Sequence, residues 1–326
     1  MHANLKQKRT IPGTDVQLPV LGFGAAPIGN LYREVPEQQA LDAVTAAWEG
    51  GIRYFDTAPH YGLGLSERRI GAALAGRERS DYVLSTKVGR LLRPNTAPAG
   101  RDSEGFDVPD NLARVRDYSR DGVLRSIEES LQRLRTDRLD IVYIHDPDDY
   151  WEEALEGAVP TLSALRDEGI IGAWGAGMNQ AEMLHRFVAE TDIDVIMLAG
   201  RYTLLEQGAA RDLLPACLER GVAVVNVGVF NSGLLSKNRP VPGATYNYEA
   251  ASRELLDRAN RLARICESHG TTLPTAALAY PYQHPAVSSV VLGMRTPEQV
   301  TQNLDLAAQS VPPALWDELR ETGLIT

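Results

Sequence analysis

Short apolar runs alternate with amphipathic segments along almost the whole chain. The runs are nearly continuous in hydrophobicity, which favours strands buried on both faces, as in a parallel sheet. They lie at residues 18–26, 52–57, 82–88, 139–145, 172–178, 194–200, 222–228 and 288–293. Before them, the segment from Ile11 to Val20 contains a Pro-Gly-Thr-Asp turn sequence and predicts a small N-terminal hairpin.

The segments between these runs have the apolar spacing of helices. In the first, Pro36 suits the first helical position, and in the second, Ser66 is predicted to cap the helix. The helical segments are residues 36–51, 66–76, 119–136, 153–169, 180–190, 209–220, 249–269 and 297–309. Eight strand–helix pairs without a linker between them predict one (β/α)8 TIM barrel domain over residues 1–326.

Two stretches interrupt this strand–helix rhythm. Residues 90–118 form a long polar insert after the third strand, and residues 231–248 form another after the seventh. Loops of this length in a compact domain usually serve function, and both would lie where the strands end. We therefore interpret them as walls or lids of a pocket, with surface decoration as the alternative.

The composition and charge of the chain indicate which binding partners are unfavourable. A chain of 326 residues with a net charge of -10 is poorly suited to bind nucleic acid or an anionic membrane. The first ten residues lack the apolar segment of a secretory signal, and no apolar run is long enough to span a bilayer. With only two cysteines, no disulfide framework is implied. We expect a cytoplasmic protein, and the sequence does not indicate its oligomeric state.

Reactive residues lie at the ends of three successive predicted strands. The second strand ends at Asp56 and leads to Tyr61, the third carries Lys87, and the fourth ends at His145. In a barrel these ends meet at one rim, where catalytic residues collect. A lysine cation lowers the pKa of a neighbouring phenol, so Tyr61 is predicted to exchange the proton that accompanies hydride transfer. His145 would hydrogen-bond the reacting oxygen.

The sequence also contains elements of two other kinds of site. Asp146, Asp148 and Asp149 follow His145 and suggest a metal-dependent hydrolase, but other strand ends supply no further ligand set. We therefore predict no metal. The stretch from Gly22 to Pro27 has proline where a glycine-rich dinucleotide fingerprint needs its third glycine, which argues against a Rossmann-type site.

Several motifs together resemble the aldo-keto reductase family over almost the whole chain. They are LGFGAAPIGN, YFDTAPHYGLGLSE, STKVGR, DIVYIHDPD, GAWGAGMNQ and VVLGMRTPEQVTQNL. The family has the same barrel fold. The resemblance implies that Tyr61 is the proton donor or acceptor, that Lys87 and Asp56 tune it, and that His145 positions the substrate.

The resemblance also implies a nicotinamide cofactor over the barrel mouth, with Asn179 on the carboxamide. The helix N-terminus after the last strand suits the adenosine phosphates. The predicted cofactor contacts are Gly24, Asp56, Asn179, Phe230, Gly293, Arg295, Gln299, Gln302 and Asn303. Gln299 and Gly293 stand where NADP-preferring members carry cations, so NAD is predicted, with NADP as the alternative because Arg295 supplies part of the charge.

Finer features resemble sugar dehydrogenases within this family, which oxidise the C1 hemiacetal of an aldose to a lactone. These features are GAGMN, LAGRYTLLEQ and the insert after the third strand. We predict a small sugar or cyclic hemiacetal substrate. Its predicted contacts are Tyr61, His145, Trp151, Arg201 and Tyr202, with Arg90 as a further candidate. The alternatives are pyridoxal oxidation, NADPH-dependent reduction of aldehydes or ketones, and a cofactor-sensing subunit without turnover.

Overall fold

The computed structural model describes residues 7–241, 243–246 and 249–326. Its strands, in chain order, are β1 (Lys8–Thr10), β2 (Gln17–Pro19), β3 (Leu21–Gly24), β4 (Tyr54–Asp56), β5 (Val83–Val88), β6 (Arg90–Pro94), β7 (Leu112–Arg116), β8 (Leu139–His145), β9 (Ile171–Met178), β10 (Val195–Ala199), β11 (Ala223–Val227), β12 (Thr245–Tyr246), β13 (Glu249–Ala250) and β14 (Val287–Gly293). Eight of them, β3, β4, β5, β8, β9, β10, β11 and β14, close in that order into a parallel barrel. The predicted (β/α)8 fold is confirmed.

Helices surround the barrel and connect its strands. They are α1 (Glu37–Glu49), α2 (Leu65–Leu74), α3 (Arg120–Leu134), α4 (Trp151–Glu153), α5 (Val159–Asp167), α6 (Ala181–Glu190), α7 (Leu213–Arg220), α8 (Arg253–Ser268), α9 (Leu273–Ala279), α10 (Pro297–Ala308) and α11 (Pro313–Glu321). A π-helical turn over Ala154–Ala158 joins α4 to α5. Within the described residues, none of these helices is both long and apolar enough to cross a membrane.

The start of α2 differs from the prediction. The helix begins at Leu65 after Gly64, whose φ of 79° lies in the left-handed region that glycine adopts without strain. Ser66 is therefore inside the helix and does not cap it. Its buried hydroxyl bonds Thr57 Oγ1 at 2.8 Å and donates to the carbonyl of Ala25 at 2.8 Å. This side chain ties α2 to the rim of the barrel beside the candidate site.

The N-terminal hairpin is present and closes one end of the barrel. Strands β1 and β2 pair in antiparallel register, and β1 begins at Lys8, three residues before the predicted segment. Ile11, Val16 and Leu18 belong to one buried apolar cluster with side chains from the barrel interior. This end of the barrel is thereby filled with hydrocarbon, so access to the interior is from the other end.

The insert after β5 contains regular structure that the sequence analysis did not predict. Strands β6 and β7 form an antiparallel hairpin in which Arg90 lies opposite Arg116. The loop between them, residues 95–111, packs back onto the barrel rim through an apolar cluster of Leu63, Leu92, Phe106 and Val108. The insert after β11 carries the short pair β12 and β13. Part of that predicted insert, residues 242, 247 and 248, lies outside the described residues.

Candidate active site

The candidate site is built from the last inward-facing residues of three neighbouring strands. Side chains alternate along a strand, so every second residue of a barrel strand faces the interior. Asp56 ends β4, Lys87 lies near the end of β5, and His145 ends β8. The loop after β4 adds Tyr61 to the same rim. The structure therefore brings together the four residues that the sequence predicted as the catalytic group.

Lys87 and Asp56 form a buried, fully hydrogen-bonded ion pair. The Lys87 Nζ donates to the two carboxylate oxygens of Asp56 at 2.7 and 3.0 Å, and to the carbonyl of Thr57 at 2.9 Å. Burial by itself would lower the pKa of Lys87, but the attraction of Asp56 and Tyr61 outweighs it and raises that pKa. Lys87 is thus a fixed cation, whose buried charge is tolerated because every donor has a partner.

Tyr61 lies directly beside this cation. The Lys87 Nζ is 4.8 Å from the centroid of the Tyr61 ring. Burial raises the pKa of the Tyr61 phenol above its ordinary value, and the lowering effect of Lys87 only partly offsets this. The predicted net decrease of the Tyr61 pKa is therefore wrong, because loss of solvation outweighs the attraction of one ammonium. In this structure Tyr61 is a neutral phenol with a proton to donate.

His145 completes the group as a neutral imidazole. Its ring is 5.8 Å from that of Tyr61 at an interplanar angle of 89°. Burial, followed by the positive charges of Arg90 and Lys87, lowers the pKa of His145 well below its ordinary value. Its Nδ1 is buried and has no hydrogen-bond partner among the described residues. A neutral imidazole at this place suits hydrogen bonding to a substrate oxygen.

These residues open onto a cavity of about 630 Å³, which is the size of a small-molecule site. The insert after β5 forms one wall, as predicted, and contributes Arg90, Glu104, Phe106 and Arg116. Of these four, only Arg90 was a predicted contact. The hairpin could have been predicted from two strand-like stretches in the insert, RLLRP and LARVR. Both carry basic residues that the hairpin places near the rim.

His60 also lines the cavity, between the catalytic group and the insert. Its ring is 5.3 Å from the His145 ring and 5.1 Å from the Phe106 ring. Burial, and then the nearby cations led by Arg90 and Arg114, lower the pKa of His60 to about 2. The cavity therefore has two adjacent imidazoles that remain uncharged at neutral pH.

The opposite side of the rim fits a nicotinamide dinucleotide. Asn179, Ala199 and Val227 line the cavity on this side. The twelve-residue helix α10 begins close to the end of β14. Its positive N-terminal end suits a phosphate, and the N–H of Gln299 there is bonded to the hydroxyl of the capping residue Thr296. A Cβ built on Gly293 would lie 3.0 Å from Pro27 Cγ, so the backbone there is closely surrounded.

The other predicted cofactor contacts are distributed around this side. Gly24 ends β3, where a Cβ would lie 3.2 Å from a Val291 methyl group. Gln299 accepts a hydrogen bond from the backbone N–H of Arg295 at 3.0 Å, and Arg295 Nη1 donates to the carbonyl of Leu31 at 3.3 Å. Farther along α10, Gln302 is exposed and Asn303 is half-buried, and in the loop after β11 Phe230 packs half-buried against the core.

Three predicted substrate contacts do not line the cavity. The Trp151 ring is buried 4.7 Å from that of Phe187, so it packs α4 against α6. Tyr202 is buried against Tyr280, with ring centroids 5.0 Å apart. Arg201 lies half-buried in the loop after β10 and is absent from the cavity lining. The prediction of these three contacts is therefore not supported, because apolar packing determines where the two aromatic rings lie.

The first acidic residue after His145 takes part in charge pairing. Asp146 forms an ion pair with Arg90, and both line the cavity. Across the described part of the chain, no three or more His, Cys, Asp or Glu side chains converge in a way that could hold a metal ion.

Comparison with known proteins agrees with this geometry. The sequence profile of the aldo/keto reductase family matches residues 20–322. D-threo-aldose 1-dehydrogenase of a Pseudomonas species is 48% identical over 312 residues, covering 94% of this chain and 95% of that protein. Pyridoxal 4-dehydrogenase of Microbacterium luteolum is 38% identical over an alignment of 345 residues that covers 100% of both chains.

A solved structure extends the agreement to three dimensions. The holo form of the aldo-keto reductase AKR11C1 from Bacillus halodurans matches with a TM-score of 0.74 at 27% identity, covering 98% of this chain and 96% of that one. Both the sequence profile and the barrel with its buried catalytic group point to the same assignment. The chain belongs to the aldo/keto reductase family and is an NAD(P)-dependent oxidoreductase.

Proposed function

We propose that the protein oxidises the C1 hemiacetal hydroxyl of an aldose to a lactone, with NAD as the cofactor. The observation that carries the proposal is the buried Asp56, Lys87 and Tyr61 group opening, beside His145, onto a cavity with a charged and polar outer wall. Such a wall suits a substrate with many hydroxyl groups. The 48% identity to D-threo-aldose 1-dehydrogenase supports the same substrate class.

In this proposal the protein handles the proton of the reaction. The phenolate form of Tyr61 takes the proton of the C1 hydroxyl as the C1–O bond becomes a carbonyl, and the resulting phenol returns that proton in the reverse direction. Lys87 stabilises the phenolate form of Tyr61, and Asp56 holds Lys87 charged and in position. His145 hydrogen-bonds the reacting oxygen, which fixes C1 within reach of the cofactor. Asn179 would hold a bound nicotinamide, which would supply the acceptor for the hydride that leaves C1.

The preference for NAD rests on the charges around the start of α10. The 2′-phosphate of NADP needs cationic partners, and Gly293 and Gln299 supply none. Gln299 is engaged with the backbone of Arg295. The guanidinium of Arg295 is half-buried and directed to the carbonyl of Leu31. With one of its nitrogens engaged in that contact, Arg295 supplies only part of the charge that a 2′-phosphate needs, so NADP is the weaker alternative.

A substrate panel tests this proposal. Wild-type enzyme is assayed with L-fucose, D-arabinose, L-galactose, D-galactose and pyridoxal, each with NAD+ and with NADP+, at the absorbance of the reduced nicotinamide. We expect the highest kcat/KM for an aldose with NAD+. Absence of oxidation with every aldose, or a consistent preference for NADP+, would contradict the corresponding part of the proposal.

Pyridoxal oxidation is a second candidate because of the aromatic lining of the cavity. Phe106 and His60 both face it, and a pyridine ring packs well against such rings. The 38% identity to pyridoxal 4-dehydrogenase supports the same possibility. Because pyridoxal is one member of the panel, a kcat/KM higher for pyridoxal than for every aldose would favour this candidate.

A further inference from the structure

One carboxylate in the cavity wall makes no hydrogen bond to the described residues that surround it. Glu104 is half-exposed and lines the cavity from the loop between β6 and β7. Its oxygens lie 3.8 Å from His60 Nδ1, 3.7 Å from Arg90 Nη1 and 3.5 Å from Arg114 Nη1. These distances are those of ion pairs and are too long for good hydrogen bonds. The acceptor positions of Glu104 therefore remain available within the described structure.

The loop that carries Glu104 is held by its own contacts, so the position of the carboxylate is defined. Arg114 on β7 binds both carboxylate oxygens of Asp102, at 2.6 and 3.1 Å, and both side chains are only 5% exposed. Asp110 accepts hydrogen bonds from the backbone N–H groups of Ala99 and Gly100. A buried bidentate pair of this kind holds the backbone of the loop in place. The Glu104 carboxylate therefore lines the cavity from a segment with a defined position.

The charges around Glu104 favour a neutral ligand with hydroxyl groups. Arg90 is paired with Asp146, and Arg114 is paired with Asp102, so a carboxylate already balances the charge of each cation. Glu104 itself would repel an anionic group. His60 is uncharged, and its buried Nδ1 lacks a hydrogen-bond partner among the described residues. A free carboxylate acceptor beside a neutral imidazole matches the donor and acceptor character of sugar hydroxyls.

We propose that Glu104 is a specificity-determining residue that accepts hydrogen bonds from substrate hydroxyls away from the reacting carbon. His60, next to it, offers a second partner for the same hydroxyls. The cavity thus selects polyhydroxylated hemiacetals over hemiacetals that have only the reacting hydroxyl. This inference rests on the proposed aldose oxidation and deepens it, since Glu104 lies in the same cavity and takes no part in the proton transfer by Tyr61.

The test compares two substrates that have the same reacting group, a cyclic hemiacetal. One is the panel aldose with the highest kcat/KM, and the other is 2-hydroxytetrahydropyran, a cyclic hemiacetal without further hydroxyls. Wild type, Glu104→Ala and Glu104→Gln are assayed with NAD+. Glu219→Gln, an exposed carboxylate on α7 outside the cavity, serves as the matched control. Melting temperature and NAD+ affinity, measured by fluorescence quenching, are recorded for each variant to detect a purely structural effect.

We expect Glu104→Ala to lower kcat/KM for the aldose by roughly 10- to 100-fold, mainly through KM, because a hydrogen bond to a charged acceptor is lost. For 2-hydroxytetrahydropyran the change should be less than about twofold. Glu104→Gln should retain part of the aldose activity, since the amide oxygen is still an acceptor. The control should match wild type with both substrates.

Three results would overturn the inference about Glu104. They differ in whether the proposed aldose oxidation is also overturned. An unchanged kcat/KM for the aldose in Glu104→Ala shows that Glu104 does not contact the substrate, while aldose oxidation itself stands. Equal losses with both substrates show that Glu104 acts on the reacting centre or on the fold. Wild-type enzyme that oxidises no aldose removes the proposed function, and the inference with it.

Discussion

The barrel interior contains two neighbouring layers of polar side chains that lie two residues apart on the same three strands. The middle layer consists of Tyr54, Ser85 and Tyr143, and the upper layer consists of Asp56, Lys87 and His145. All six residues are buried. No residue of the middle layer lines the cavity, whereas Lys87 and His145 of the upper layer line it together with Tyr61. The same strands thus supply a structural layer and, one step farther along, a reactive one.

The two layers hold phenols in different electrostatic surroundings. In the middle layer the Tyr54 hydroxyl bonds Ser85 Oγ at 3.1 Å and Tyr143 Oη at 3.2 Å. Burial and then the charge of Asp56 raise the pKa of Tyr54. No neighbouring cation contributes to lowering that pKa among the described residues. At Tyr61 the same effect of burial is opposed by Lys87. Tyr61 therefore differs from Tyr54 in having both a neighbouring cation and a cavity beside it, which is the setting that the proposed proton transfer requires.

The largest expected effect of this difference is on turnover in Tyr61→Phe. The substitution removes the group that exchanges the proton, and such groups contribute roughly 10²- to 10⁴-fold to rate. We expect kcat for the best aldose to fall by that factor, with NAD+ affinity and melting temperature close to wild type. Steady-state kinetics and fluorescence titration measure both. A variant that keeps more than about a tenth of wild-type turnover would remove Tyr61 from the proposed mechanism.

The pH dependence of oxidation is the next largest effect. Because the pKa of Tyr61 is raised, its phenolate is a minor form at neutral pH and becomes more abundant as pH increases. We expect kcat/KM, which reports ionisation of the free enzyme, to rise by about tenfold per pH unit from pH 7 towards pH 10. His145 stays neutral over this range because its pKa is strongly lowered.

The pH profile is measured in a constant-ionic-strength buffer series, with enzyme stability checked at each pH. Tyr61→Phe is the matched control, and its residual activity should lack the rise. A wild-type profile that levels off near pH 7 would show that the titrating group is not a phenol with a raised pKa.

The reactive layer was largely predictable from sequence because its residues mark strand ends. Asp56, Lys87 and His145 each follow an apolar run of strand length, and closure of the barrel brings such ends together. The barrel itself follows from eight such runs separated by amphipathic segments. Both inferences use local patterns and one rule of topology, so they need no knowledge of side-chain packing.

The features that were not predicted depend on packing or on solvation. The direction of the Tyr61 pKa shift is set by burial, which the sequence does not show. Trp151 and Tyr202 occupy loops that suit substrate contact, yet each ring is buried against another aromatic ring. Glu104 was missed because the hairpin of β6 and β7 folds its loop back over the rim.

Ser85 connects the two layers, and its loss should have an intermediate effect. Its Oγ donates to Asp56 Oδ1 at 2.7 Å and lies within hydrogen-bond distance of the Tyr54 hydroxyl. In Ser85→Ala the carboxylate keeps both bonds to Lys87 but loses this donor, so the ion pair is held less firmly. We expect kcat/KM to fall by roughly three- to tenfold, which is less than the full contribution of one hydrogen bond to a charged group, because Lys87 still holds the carboxylate. A loss as large as that of Tyr61→Phe would mean that Ser85 has a direct part in catalysis.

The smallest effect on turnover is expected for Tyr54→Phe, which removes a hydroxyl from the middle layer. The deletion leaves the Tyr143 hydroxyl without this partner in a fully buried place, which should reduce the free energy of unfolding by about 1–3 kcal/mol. Turnover should remain within about twofold of wild type, because Ser85 and Lys87 still hold Asp56. Denaturant unfolding and steady-state kinetics measure the two quantities on the same preparation. Tyr54 and Tyr61 each lose only a hydroxyl on conversion to phenylalanine, so the pair isolates the effect of position. If Tyr54→Phe lost activity without losing stability, the middle layer would be part of the reactive one, and the boundary between them would lie deeper in the barrel.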